Sequence, residues 1–129
     1  MGANVGGERN TACGYNALKL NTEGDYNVAI GESALAANTT ASYNTAVGGL
    51  ALEDNTASHN TAVGYVALYQ NTTGEANTAV GKQAMWANTT GANNTAIGKE
   101  TLTANTTADY NTATAVSYTH LTLPTKRIV

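Results

Sequence analysis

Apolar and polar positions in this chain recur at a period close to seventeen residues, far longer than the repeat of about 3.6 for a helix or 2 for a strand. One apolar file falls at Cys13, Ile30, Val47, Val63, Val80 and Ile97, and a bulkier one at Leu18, Leu35, Leu52, Leu68, Met85 and Leu102. Asn opens each unit, at Asn10, Asn27, Asn44, Asn60, Asn77, Asn94 and Asn111. The spacing is 17 residues everywhere except the 16 between Asn44 and Asn60. A second Asn file runs through Asn4, Asn21, Asn38, Asn55, Asn71, Asn88 and Asn105. The consensus is N-T-A-[VI]-G-x-x-A-L-x-x-N-T-T-G-x-x, and the short unit loses its residue just after Asn55-Thr56, in the segment expected to turn.

One such unit has too little apolar surface to fold alone, whereas stacked units align like side chains into a continuous core, which predicts a repeat solenoid. "NTAVG" is β-branched and bounded by Asn and Gly, which predicts a short parallel strand in each coil. Along that strand Thr and Val share one face, expected to point inward. Asn, Ala and Gly share the other, expected to be a flat small-residue stripe open to another chain or an ordered surface. The following "xxALxxN" piece is made of good helix formers and predicts a short helical turn that Asn ends in the left-handed region. An all-β left-handed parallel β-roll, with this piece as a second strand, is the alternative. On these expectations Ile30, Val47, Val63, Val80 and Ile97 form the core with Leu18, Leu35, Leu52, Leu68, Met85 and Leu102. The amides of Asn27, Asn44, Asn60, Asn77 and Asn94, and of Asn38, Asn55, Asn71 and Asn88, are expected to form structural ladders at strand spacing.

Composition narrows the function. There is no Phe, only 12% of residues are charged, and the net charge is −3, which gives no reason to expect nucleic acid as a partner. No apolar run reaches the roughly 18 residues of a membrane helix, so no membrane insertion is expected in this fragment. One cysteine, Cys13, and two histidines offer no disulfide and no metal cluster, and no metal or cofactor is expected. Cys13 stands in a Val/Ile slot and reads as a small hydrophobe. The acids occupy variable columns and no catalytic motif is present, so no enzyme activity is expected. Sequons at Asn38, Asn71, Asn88, Asn93 and Asn105 follow from the repeated "NTT" and read first as structure, with glycosylation as the alternative. Tyr69 and Trp86 share one column in adjacent coils and are the candidate glycan contacts, since aromatic faces suit sugar rings. Tyr26, Tyr43, His59 and Tyr110 share another column, just before the strand.

The motifs "NTAVG", "NTAIG" and "NVAIG" resemble the head repeats of trimeric autotransporter adhesins, the YadA-like heads. The full line with "GYVALYQNTTG" resembles repeats of phage tail fibres and large bacterial surface proteins. The resemblance covers residues 4–113. It implies an extracellular, elongated homotrimer at a cell surface or virion, acting as a stalk or contacting a host-surface receptor or glycan. The adhesin head unit lacks the "ALxxNTTG" piece, so its coil does not transfer directly. Two segments are expected: residues 1–114 as a solenoid of about seven coils truncated at both ends, and 115–129 as a non-native or unstructured tail. Val116 to Thr125 resemble a translated sequencing-library adapter. An ice-binding or other ordered-surface-binding solenoid is the alternative function.

Overall fold

The computed structural model describes residues 2–115. Seven three-residue strands, β1 (Thr11–Cys13), β2 (Val28–Ile30), β3 (Thr45–Val47), β4 (Thr61–Val63), β5 (Thr78–Val80), β6 (Thr95–Ile97) and β7 (Thr112–Thr114), form one parallel sheet in chain order. Each pairs with the next in identical register, Thr45 with Thr61, Ala46 with Ala62 and Val47 with Val63. The chain is a parallel β-solenoid in which one coil carries one strand. The expected tail from Val116 onward lies outside the described residues.

The strand faces are inverted relative to the sequence expectation. Ala29, Ala46, Ala62, Ala79 and Ala96 are fully buried, whereas Ile30, Val63 and Ile97 are 41%, 36% and 44% exposed, with Val47 and Val80 half-buried. The cause is the pleat. Asn27, Asn44, Asn60, Asn77 and Asn94 are wholly buried, and the residue two further on must face the same way. That residue is Ala, and its methyl packs against the interior that the Leu file fills. Leu18, Leu35, Leu52, Leu68 and Met85 are at 0% exposure, joined by a second Ala file, Ala17, Ala34, Ala51, Ala67 and Ala84; Leu102 is partly buried against them. Cys13, outside with its column, is exposed.

The "xxALxx" piece forms no helix among the described residues. A helix needs φ near −60° at every position, but here alternate residues are left-handed: Asn16 and Leu18 at 58° and 50°, Ser33 and Leu35 both at 52°, Gln83 and Met85 at 59° and 49°. In each coil the residue at the Ala17 position donates back three residues, as in Ala17 N–H to the Gly14 carbonyl (3.3 Å), and at Lys19, Ala36 and Trp86 the residue two after it does the same, Lys19 N–H to the Asn16 carbonyl at 3.2 Å. A positive φ at the third residue of a four-residue turn is the type II signature, and that pair of positive φ values recurs in every coil, with both turns closed by a hydrogen bond where Lys19, Ala36 and Trp86 donate. Leu is an unusual occupant, since a non-Gly left-handed residue costs about 1–3 kcal/mol. Burial of its side chain and a hydrogen bond to the next coil hold it there: Leu18 N–H donates to the Ala34 carbonyl, Leu35 to Ala51 and Leu68 to Ala84.

Gly at the strand's end has two independent reasons. At Gly48 and Gly64 φ is 134°, and a Cβ there would lie 2.6 Å from the backbone of the next coil's glycine. Neither strain nor clash can be relieved by a side-chain movement.

Candidate binding surfaces

The buried Asn files close the coil from inside. In the first, the side-chain oxygen accepts from the backbone N–H of the equivalent Asn one coil on, as Asn60 Oδ1 does from Asn77 (2.9 Å). Its amide group donates across its own coil, as Asn77 Nδ2 does to the Gly91 carbonyl (2.8 Å). In the second file Nδ2 donates to the preceding coil's Oδ1 in the regular coils, Asn88 to Asn71 and Asn105 to Asn88, both at 2.8 Å. Asn38, Asn71 and Asn88 are therefore sealed within the stack at 0% exposure, which removes three of the five sequons as acceptors in the folded chain. Asn93 is exposed and Asn105 half-buried.

Three outer surfaces remain for a ligand or partner. The first is the sheet face. Its two files, Thr11, Val28, Thr45, Thr61, Thr78, Thr95, Thr112 and Cys13, Ile30, Val47, Val63, Val80, Ile97, Thr114, contain no charged residue. They repeat almost as faithfully as the Leu core although the core does not use them. The outward column at Tyr15, Glu32, Gly49, Tyr65, Lys82 and Lys99 varies freely, whereas the Thr22, Thr39, Thr56, Thr72, Thr89 and Thr106 column is kept with a structural use of its own, since Thr22, Thr56, Thr72 and Thr89 Oγ1 donate to the next coil's Thr carbonyl.

The second surface is an aromatic file at the corner before the strand. Tyr26 and Tyr43 stack at 5.1 Å with an 8° interplanar angle, and Tyr43 and His59 at 5.2 Å and 10°. The Arg9 guanidinium caps Tyr26 at 5.1 Å, a cation–π contact. The rings stack because each sits on a left-handed residue, with φ of 56°, 62° and 65° at Tyr26, Tyr43 and His59. Their faces are thus spent on each other and mainly edges meet solvent. Ala76 interrupts the file, so Tyr110 does not join it.

The third surface carries Tyr69 and Trp86. They lie one coil apart, Tyr69 half-buried and Trp86 37% exposed, and their rings do not form a stacked pair like the Tyr26–Tyr43 one. Glu53 precedes Tyr69 in the column, and its carboxylate, then that of Asp54, then burial, hold the Tyr69 phenol above its ordinary value of 10.0. On the other side of Glu53 and Asp54, where Ala36 and Ala37 replace longer side chains, a shallow groove of about 230 Å³ opens toward Lys19. Periodicity located the Tyr69–Trp86 column but not this groove, which arises from two small residues between larger ones.

The described residues hold no group of three or more His, Cys, Asp or Glu side chains placed to share a metal ion, and no helix long and apolar enough to cross a membrane. No protein-family model, no curated protein and no solved structure matches this chain.

Proposed function

We propose that the chain is a structural and adhesive module of an extracellular fibre, a surface adhesin or a phage tail fibre, in which three copies pack side by side. The carrying observation is the fidelity of the outer face: fourteen uncharged positions there, exposed or half-buried, repeat although the core does not need them. A partner with the same period explains that restraint, and another copy of the chain has the same period by construction. Uncharged β-branched faces also suit a desolvated contact. Each added coil lengthens the face by about 4.8 Å, so side-by-side packing grows with fibre length. The groove beside Lys19 and the Tyr69–Trp86 surface lie away from the strand and remain available to a host-surface receptor or glycan.

Sedimentation equilibrium of the chain tests this reading. A trimer is expected, and Val47→Lys together with Val63→Lys is expected to yield folded monomers, because two ammonium groups would enter the contact. A wild-type chain that stays monomeric at high micromolar concentration overturns it. One observation favours a second reading, an ice-binding solenoid: Thr45, Thr61, Thr78 and Thr95, half-buried, stand in a regular parallel array on the outer face. A monomer that shows thermal hysteresis, lost in the same double variant, selects it.

A further inference from the structure

The short coil, residues 44–59, breaks both Asn ladders at one level. In the second file Nδ2 donates to the preceding Oδ1 from Asn21, Asn38, Asn71, Asn88 and Asn105, but not from Asn55. In the first file Nδ2 donates across its own coil from Asn10, Asn27, Asn60, Asn77 and Asn94, but not from Asn44. The missing turn residue explains both losses. Asn55 Nδ2 bonds instead to the Ala57 carbonyl, two residues away at 2.6 Å, where the other coils reach three residues. The donor that Asn38 needs and the acceptor that Asn44 needs have been drawn onto each other.

Among the described residues two side-chain groups are left buried without a protein partner, the acceptor Asn38 Oδ1 and the donor Asn44 Nδ2. Both side chains are at 0% exposure. Rotating either amide offers no escape. Asn38 Nδ2 is committed to Asn21 Oδ1 (2.8 Å) and the Ala41 carbonyl (3.0 Å). Asn44 Oδ1 accepts from the Asn60 backbone N–H (2.9 Å), which an amide nitrogen would oppose. One orphan accepts and the other donates, both on the inner side of two adjoining coils, and buried polar groups of this kind are normally served by an ordered water.

We propose that residues 38–57 enclose a single structural water, which donates to Asn38 Oδ1 and accepts from Asn44 Nδ2. The water takes over the two bonds that the absent turn residue removed, so the stack passes through its one irregular coil without a dry polar gap.

Water–protein NOE spectroscopy on the chain, with side-chain amides assigned, tests the site. The Asn44 amide is expected to show a cross-peak to a long-lived water, and the Asn77 amide in a regular coil none. Insertion of one Thr between Thr56 and Ala57 is expected to abolish the cross-peak while the fold persists. A crystal structure that resolves ordered waters gives the second measurement: one water within hydrogen-bonding distance of both atoms is expected. The proposal is overturned if the Asn44 amide shows no such water, if the peak survives insertion in a folded chain, or if the crystal shows Asn38 and Asn44 bonded to protein atoms instead.

Discussion

Coils 44–59 and 77–93 carry nearly the same residues in the strand and in the core, yet only one of them inherits a complete polar interior. Ala46, Ala51 and Leu52 are as fully buried as Ala79, Ala84 and Met85, and the strands hold the same register. Deleting one turn residue leaves this apolar framework untouched and disconnects the amides. Apolar contacts have no direction, so a small shift of the turn costs them little, whereas a hydrogen bond requires its partner at one distance and angle. The backbone of the turn registers the same break. Thr22, Thr72 and Thr89 donate their N–H to the next coil's Thr carbonyl, and Thr39, facing the short coil, does not.

If the difference is confined to polar groups, core truncation must be blind to it. Leu52→Ala in the short coil and Leu35→Ala in a regular one are each expected to cost about 2–5 kcal/mol, and the two losses should agree closely. Chemical denaturation of both variants measures this. A much cheaper Leu52→Ala would show that the short coil is loosely packed as well as poorly bonded.

Asn substitutions should separate the coils that the Leu pair does not. Asn88→Ala removes a residue that donates to Asn71 and Gly91 and accepts from Asn105, and it strands buried groups on both sides. About 1–3 kcal/mol is expected for leaving such groups unpartnered. Asn38→Ala also breaks two donated bonds, but it deletes an acceptor that no protein group serves. Its loss should be smaller by about 1 kcal/mol. Equal losses in urea titrations would mean that a protein donor serves Asn38 Oδ1 as Asn105 serves Asn88 Oδ1.

Restoring the seventeenth residue, by a Thr between Thr56 and Ala57, has a smaller expected effect. The insertion re-forms two buried hydrogen bonds of about 0.5–1.5 kcal/mol each. Ordering one further residue costs about 1–2 kcal/mol. With a water already bridging the orphans, the net change should stay under about 1 kcal/mol in either direction. A thermal unfolding gain equivalent to 3 kcal/mol or more would mean that the two amides stand dry.

Much of this was legible in the sequence. The period located every coil, the Leu file the deepest side chains, the Asn files the ladders, and the 16-residue spacing the irregular coil. The orientation of the strand departs from the expectation although the means to orient it lies in the same pattern. Asn at the first strand-flanking position and Ala two residues later share a face, so a buried Asn ladder compels buried Ala and outward Thr and Val. Preferring large apolar residues for the interior hid this, because the coil's cross-section opposite Leu admits only a methyl group. The left-handed Leu residues were not legible, since propensity places Ala and Leu in a helix and only the ladder to the next coil stabilises the alternative. The orphans at Asn38 and Asn44 needed distances, because a spacing locates a deletion but not the atoms it separates.

The step out of the short coil, in contrast to the step into it, is intact: Asn71 Nδ2 reaches Asn55 Oδ1 at 2.7 Å. Tyr69 reads that second step from outside, because its phenol is held above its ordinary value by Glu53 and then by Asp54, both residues of the short coil. A phenol whose ionisation is resisted in the folded state binds its proton more tightly there than in the unfolded chain. Its contribution is complete below the unfolded value of 10.0 and is lost as pH rises from there through the higher folded value. Stability of the wild-type chain is therefore expected to fall above pH 10 relative to Tyr69→Phe, which has no proton to lose at this position, while the two should run parallel between pH 6 and 9. The effect is small, since solvent screens the partly exposed charges. Denaturation midpoints of both chains across that range measure it. If the midpoints stay parallel above pH 10, Glu53 and Asp54 do not lie against Tyr69, and the irregularity of the short coil extends to both of its neighbours.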